Sequence, residues 1–149
     1  MIGIERVLHE VRLPIAFDWD IVTARQRGRL LAKESGFHSS DATLIAAVIS
    51  ELSRNILRFA AQGEIVLRVI ENQLKQGIEV VAVDEGPGIP DVLLAMQEGY
   101  STGGGLGLGL TGVRRLMDEF EISSRVGAGT TVSSRKWRPG GADSNSPRR

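Results

Sequence analysis

At 149 residues with 42% hydrophobic residues, the chain is long enough for one domain with a well-filled core and too short for two of ordinary size. Lysine plus arginine and aspartate plus glutamate number 18 each, so no overall charge draws the chain to nucleic acid or to an acidic membrane surface. Cysteine is absent, which excludes a disulfide framework or a thiolate metal site and fits a reducing compartment.

The opening "MIGIERVLHEVRLP" lacks the apolar run of a signal peptide, and no stretch approaches the roughly 20 apolar residues of a membrane span. The expected setting is the cytoplasm, without membrane or nucleic-acid partners. Alternation in "IERVLHEVRL" (4–13) predicts a first strand, ended by Pro14. Asp18 or Asp20 can cap a helix through "IVTARQRGRLLAKES", with Ile21, Ala24 and Leu31 at helical spacing and Gly36 as its stop. A second helix begins at Ser39, Ser40 or Asp41. Its stripe of Ile45, Ile49, Leu52, Ile56 and Phe59 is closed by Gly63.

The β-rich runs "EIVLRVIEN" and "GIEVVAVDE" flank "QLKQG" and predict a hairpin of central strands, with Asp84 at the end of the second. "DVLLAMQEG" can form a short helix and "TGVRRLMDEF" another. A second hairpin follows, with strands "EISSRV" and "TTVSSRKW" around "GAG", before a tail at 138–149 with the composition of disorder. Helices beside antiparallel hairpins predict a two-layer α/β sandwich: a mixed, mostly antiparallel sheet with helices on one face, formed by residues 1–137 as a single domain.

The run "STGGGLGLGL" (101–110) poses the main functional question. "GLGLTG" fits G-x-G-x-x-G, but the polar "MQEGYST" stands where a dinucleotide fold requires a strand. A Walker loop needs a lysine, and none lies between Lys75 and Lys136. What remains is either a flexible surface loop or a lysine-free phosphate site, in which glycine N–H groups approach anionic oxygens ahead of a helix N-terminus.

Glu51 and Asn55, four residues apart, share one face of the second helix beside its apolar stripe. Together they can hold Mg²⁺ through oxygen and orient a hydroxyl, although the same spacing describes an ordinary surface pair. In "VDEGPGIPD", Asp84 can accept a hydrogen bond from an adenine amine while Gly86 and Gly88 admit a flat ligand; a plain turn has the same composition. "GAGTT" (127–131) reads as a hairpin turn. His9 and His38 stand apart and suggest no metal cluster, and Trp19 and Trp137 read as packing residues.

In order, "ELSRN", "DEGPGI", "GGGLGLGL" and "GAGTT" resemble the four ATP-site boxes of the GHKL superfamily, which includes gyrase, Hsp90, histidine kinases and MutL. The resemblance spans about Asp18 to Trp137 and implies the Bergerat sandwich, with ATP held between the second helix, the sheet and a mobile lid. Within that superfamily, "WDIVTARQRGRLLAKESGF" and "GYSTGGGLGLGLTGVRRLMDEF" are most similar to the RsbT-type switch serine kinases of the bacterial stressosome.

By that resemblance Glu51 is the base or orienting group, Asn55 the Mg²⁺ ligand and Asp84 the adenine acceptor. Gly86 and Gly88 line the base pocket, Gly105, Leu106, Gly107 and Gly109 contact the phosphates, and Thr130 supports the adenine end. The implied partners are a STAS-domain antagonist, phosphorylated on serine, and a PP2C-type phosphatase or similar output protein. An anti-sigma factor with the same ATP site and a nucleotide-gated binding module are the alternatives. The chain departs from the family in its tail from Arg138 and in Leu108 and Thr111, where smaller residues or proline are common.

Overall fold

In the computed structural model, residues 4–73, 75–89, 96 and 109–138 are described. Five strands form one sheet: β1 (Glu5–Ile15), β2 (Gly63–Asn72), β3 (Lys75–Asp84), β4 (Glu119–Arg125) and β5 (Gly129–Trp137). The helices are α1 (Asp18–Glu34), α2 (Ser39–Ala60) and α3 (Gly109–Leu116). The strand order is β1-β2-β3-β5-β4, and all four pairings are antiparallel. The sheet is thus wholly antiparallel among the described residues, without the mixed character expected.

β1 runs through Pro14 to Ile15 instead of ending at the proline. It is an edge strand with one neighbour, where a residue lacking an N–H is tolerated. Asp20 acts from inside α1: its carboxylate accepts the Ala16 and Phe17 N–H groups at 2.8 and 2.9 Å, and Phe17 occupies the N-cap. The stop at Gly36 is as expected. With φ at +94°, it donates to the Lys33 carbonyl while Phe37 donates to that of Ala32, and Phe37 and Ala32 are both buried.

The stripe of α2 lies against the sheet, with Ile45, Ile49, Leu52 and Ile56 at most 2% exposed. Phe59 does not join it and is 44% exposed, because the core cluster along this helix ends at Ile56 and Leu57. α2 stops at Ala60, and Ala61 turns the chain with φ at +70°. Gly63, expected to end the helix, instead opens β2, where a Cβ would meet the Val83 carbonyl oxygen at 2.4 Å. The β2–β3 register runs to Asn72 opposite Lys75, a tighter connection than the five residues expected.

One core cluster joins residues of α1, α2 and α3 with Leu13, Ile15, Leu67, Val80 and Val132 of the sheet, so all three helices share one face. The opposite face carries an ion ladder. Arg68 and Arg135 donate to the two oxygens of Glu79 at 2.9 and 3.0 Å, and they bind Glu10 and Glu5 in turn. Trp137 is buried, as a packing residue is, whereas Trp19 stacks on Phe17 at 4.5 Å and remains 65% exposed.

α3 is shorter than expected. It ends at Leu116, whose carbonyl accepts from Lys136 Nζ at 3.1 Å, and Glu119 already begins β4. Phe120 and Ile122 then alternate with exposed glutamates, a strand period in place of a helical one. Arg138, read from sequence as the start of the tail, still donates its N–H to the Gln76 carbonyl at 2.8 Å and so extends the β3–β5 ladder. The segment expected as a short helix (91–99) and the tail from 139 onward lie outside the described residues, save Met96.

Candidate functional site

Glu51 and Asn55 both lie on α2, as the helical spacing requires. Glu51 is buried to 5% exposure and Asn55 is half-buried, so the pair sits at the boundary of the helix layer and not on open surface. Arg54, one turn along and partly exposed, places Nη2 3.5 Å from Glu51 Oε1.

Asp84 ends β3 between Gly63 of β2 and Thr130 of β5. Its Oδ1 accepts the Gly86 N–H at 2.9 Å and the Thr130 N–H at 3.3 Å, which fixes the carboxylate by two backbone donors. Thr130, 9% exposed, pairs its hydroxyl with Ser124 Oγ at 2.8 Å, and that same oxygen accepts the Ile89 N–H at 2.7 Å. The predicted acceptor and its supporting threonine are therefore one hydrogen-bonded unit built from β3, β4, β5 and the chain after β3.

Close backbone contacts explain the glycines here. A Cβ at Gly86 would stand 2.6 Å from Ala60 Cβ, and one at Gly88 would stand 2.4 Å from the Arg125 carbonyl oxygen. Gly88 and Gly129 also take positive φ angles of 82° and 97°, which strain other residues. The segment after Asp84 is thereby pressed between the end of α2 and the β4–β5 turn, where Gly127 donates to the Pro87 carbonyl at 2.9 Å. Asn55 lies five residues before Ala60, about 7.5 Å along the helix axis at 1.5 Å per residue. The segment after Asp84 thus meets the C-terminal end of α2, in the half of that helix that carries Asn55 and, one turn further back, Glu51.

Gly109 opens α3 with φ at +69°, and Thr111 in its first turn donates to the Met96 carbonyl at 2.5 Å. Gly105, Leu106 and Gly107, together with Leu108, lie outside the described residues. Three participants carried no role in the sequence reading. Ser124 gave no signal beyond strand alternation; Gly129 was legible as the last glycine of "GAGTT"; Arg54 stood inside "ELSRN".

Residues 40–138 match the family of histidine kinase-, DNA gyrase B-, and HSP90-like ATPases. The chain is 50% identical over 123 residues to the serine/threonine-protein kinase RsbT of Bacillus subtilis, covering 83% of this chain and 92% of that protein. It is 33% identical over 97 residues to an anti-sigma F factor of Caldanaerobacter subterraneus subsp. tengcongensis, covering 62% and 68% respectively.

Two solved structures share the fold. One is a chain of the SiaB–SiaC complex from Pseudomonas aeruginosa, with a TM-score of 0.56 at 18% identity over 89% of this chain and 91% of that one. The other contains the RsbU and RsbW domains of Rv1364c from Mycobacterium tuberculosis, with a TM-score of 0.57 at 21% identity; it covers 89% of this chain, which spans 33% of that one. The chain therefore belongs to the histidine kinase-, DNA gyrase B-, and HSP90-like ATPase family. Within it the chain stands with RsbT, and it is a serine/threonine-protein kinase that uses ATP.

Proposed function

We propose that the chain transfers the γ-phosphoryl group of Mg-ATP to a serine of a small STAS-domain antagonist. Released from that antagonist, it activates a PP2C-type phosphatase or similar output protein, as a switch in a cytoplasmic bacterial stress or sigma-factor pathway. The observation that carries this reading is the 50% identity to a serine/threonine-protein kinase over 92% of that protein's length. The geometry supports it. Asp84 is held through Oδ1, so Oδ2 can accept the adenine amine, and Thr130 braces that end. By the family resemblance, Gly86 and Gly88 line the base pocket and Gly105, Leu106, Gly107 and Gly109 contact the phosphates.

Among the described residues no three histidine, aspartate or glutamate side chains gather as a metal site. Mg²⁺ suits the half-buried amide of Asn55 beside the buried Glu51 carboxylate, because it accepts one or two protein oxygens together with phosphates and water. Asn55 would hold the ion, which would supply charge neutralisation at the phosphates. Glu51 aligns the serine hydroxyl and takes its proton as the oxygen attacks phosphorus and the bond to ADP breaks. Catalysis is then mainly positioning and charge neutralisation, without a covalent enzyme intermediate.

Incubation with labelled Mg-ATP and the STAS-domain proteins encoded nearest the gene tests the reading; label on a serine is the expected result, and none on any of them defeats it. The likeness to anti-sigma F factors over 97 residues favours a second reading, in which the same site serves a sigma-factor inhibitor. Retention of a sigma factor by the purified chain would select it.

A further inference from the structure

Glu51 and Arg54 form an unequal pair. The Glu51 side chain is 6% exposed and that of Arg54 45%, with the guanidinium Nη2 3.5 Å from Oε1. An ordinary i,i+3 pair on a helix surface keeps both groups in water and contributes little. Here one partner is a carboxylate drawn into the helix–sheet boundary, where an ionised group needs a compensating charge. The other is the far more exposed partner and reaches that carboxylate with one guanidinium nitrogen.

The surrounding sequence heightens the role. No lysine occurs from residue 76 to 135, so the glycine run carries no Walker-type lysine. Arg58, one turn further along α2, lies over the Phe59 ring with its guanidinium carbon 5.8 Å from the centroid. Arg54 is the basic side chain of this helix that reaches Glu51.

We infer that Arg54 is a positioning residue for phosphoryl transfer: by holding the Glu51 carboxylate through one oxygen, it sets the direction in which that group meets the incoming serine hydroxyl. The inference rests on the role of Glu51 proposed above. Arg54 acts through Glu51, the group that meets the substrate.

The test compares Arg54→Ala, Arg54→Lys and Glu51→Gln with the wild-type chain. It reads turnover on the STAS-domain protein that the wild type labels, affinity for Mg-ATP from fluorescent-nucleotide displacement, and the thermal midpoint. The expected result is a fall in kcat of about tenfold or more for Arg54→Ala, with ATP affinity changed less than about threefold and folding intact. Arg54→Lys recovers part of the lost kcat, since it restores the charge without the fork.

Three results overturn the inference alone: kcat of Arg54→Ala within about twofold of wild type, a loss fully matched by weaker ATP binding, or no recovery with lysine. Glu51→Gln as active as wild type removes the Glu51 role instead. Absence of transfer by the wild-type chain removes the functional reading, and the inference with it.

Discussion

A Cβ on Gly129 would stand 2.1 Å from the backbone carbonyl oxygen of Asp84, so the start of β5 and the end of β3 meet as bare backbone. Gly129 also has φ at +97°. Gly129→Ala therefore combines strain with a clash that no side-chain rotation relieves, at a cost of about 1–3 kcal/mol or more. It also displaces the carboxylate held by the next residue, Thr130. The expected outcome is a lower thermal midpoint together with weaker ATP binding, read by calorimetry and nucleotide titration.

Asp84→Asn tests the adenine acceptor. The new amide oxygen can still accept the Gly86 and Thr130 N–H groups, which leaves NH₂ facing a base amine that is itself a donor. A mismatch of this kind costs about 1.5–3 kcal/mol, or roughly tenfold or more in affinity. A fluorescent-ATP titration that finds unchanged affinity would remove Asp84 from the base site.

Glu51→Gln preserves shape at a buried position while removing the charge. ATP binding is expected to persist and transfer to fall by about 10²–10⁴-fold, the range for losing a positioned base. Parallel binding and single-turnover measurements separate the two effects.

The ion ladder predicts an acid limb in stability. Burial pushes the Glu79 carboxyl up, but hydrogen bonds from Arg68 and Arg135 outweigh it and hold the group below its ordinary value of 4.5. The native state thus binds fewer protons than the unfolded chain between the lowered value and about 4.5, and stability rises with pH through that window. The contribution is complete above 4.5 and is lost as pH falls through the lowered native value. Glu79→Gln should narrow this acid dependence, as measured by urea unfolding at successive pH values; an identical pH slope in the variant would contradict the assignment.

Gly28 permits the contact between α1 and α2. A Cβ there would fall 2.0 Å from Ile49 Cδ1, which is buried and has little room to retreat. Gly28→Ala is expected to destabilise by about 1–3 kcal/mol through overpacking. Adding Ile49→Val removes the clashing methyl and should recover part of that loss despite its own cost of about 0.5–1.5 kcal/mol. Strictly additive losses in the double variant would refute a steric origin.

Periodicity alone was enough for the parts of this protein that are local. The stripe from Ile45 to Ile56 and the placement of Glu51 beside Asn55 follow from 3.6 residues per turn, whatever surrounds the helix. β5 was legible for a similar reason, since "TTVSSRKW" is rich in residues that suit a pleated surface. Element ends were less so. Pro14 proved tolerable only because β1 is an edge strand, and α3 stopped at Leu116 because the following residues pair with β5.

By itself, then, the sequence determined the helix faces, the strand-forming runs and the order of the four boxes that resemble an ATP site. Strand order was a tertiary decision. Placing β5 between β3 and β4 brings Thr130 to Asp84 across 46 residues and sets Arg68 and Arg135 on either side of Glu79. No local pattern encodes such meetings, because they depend on which strand edges satisfy one another's hydrogen bonds while burying a common face against α2.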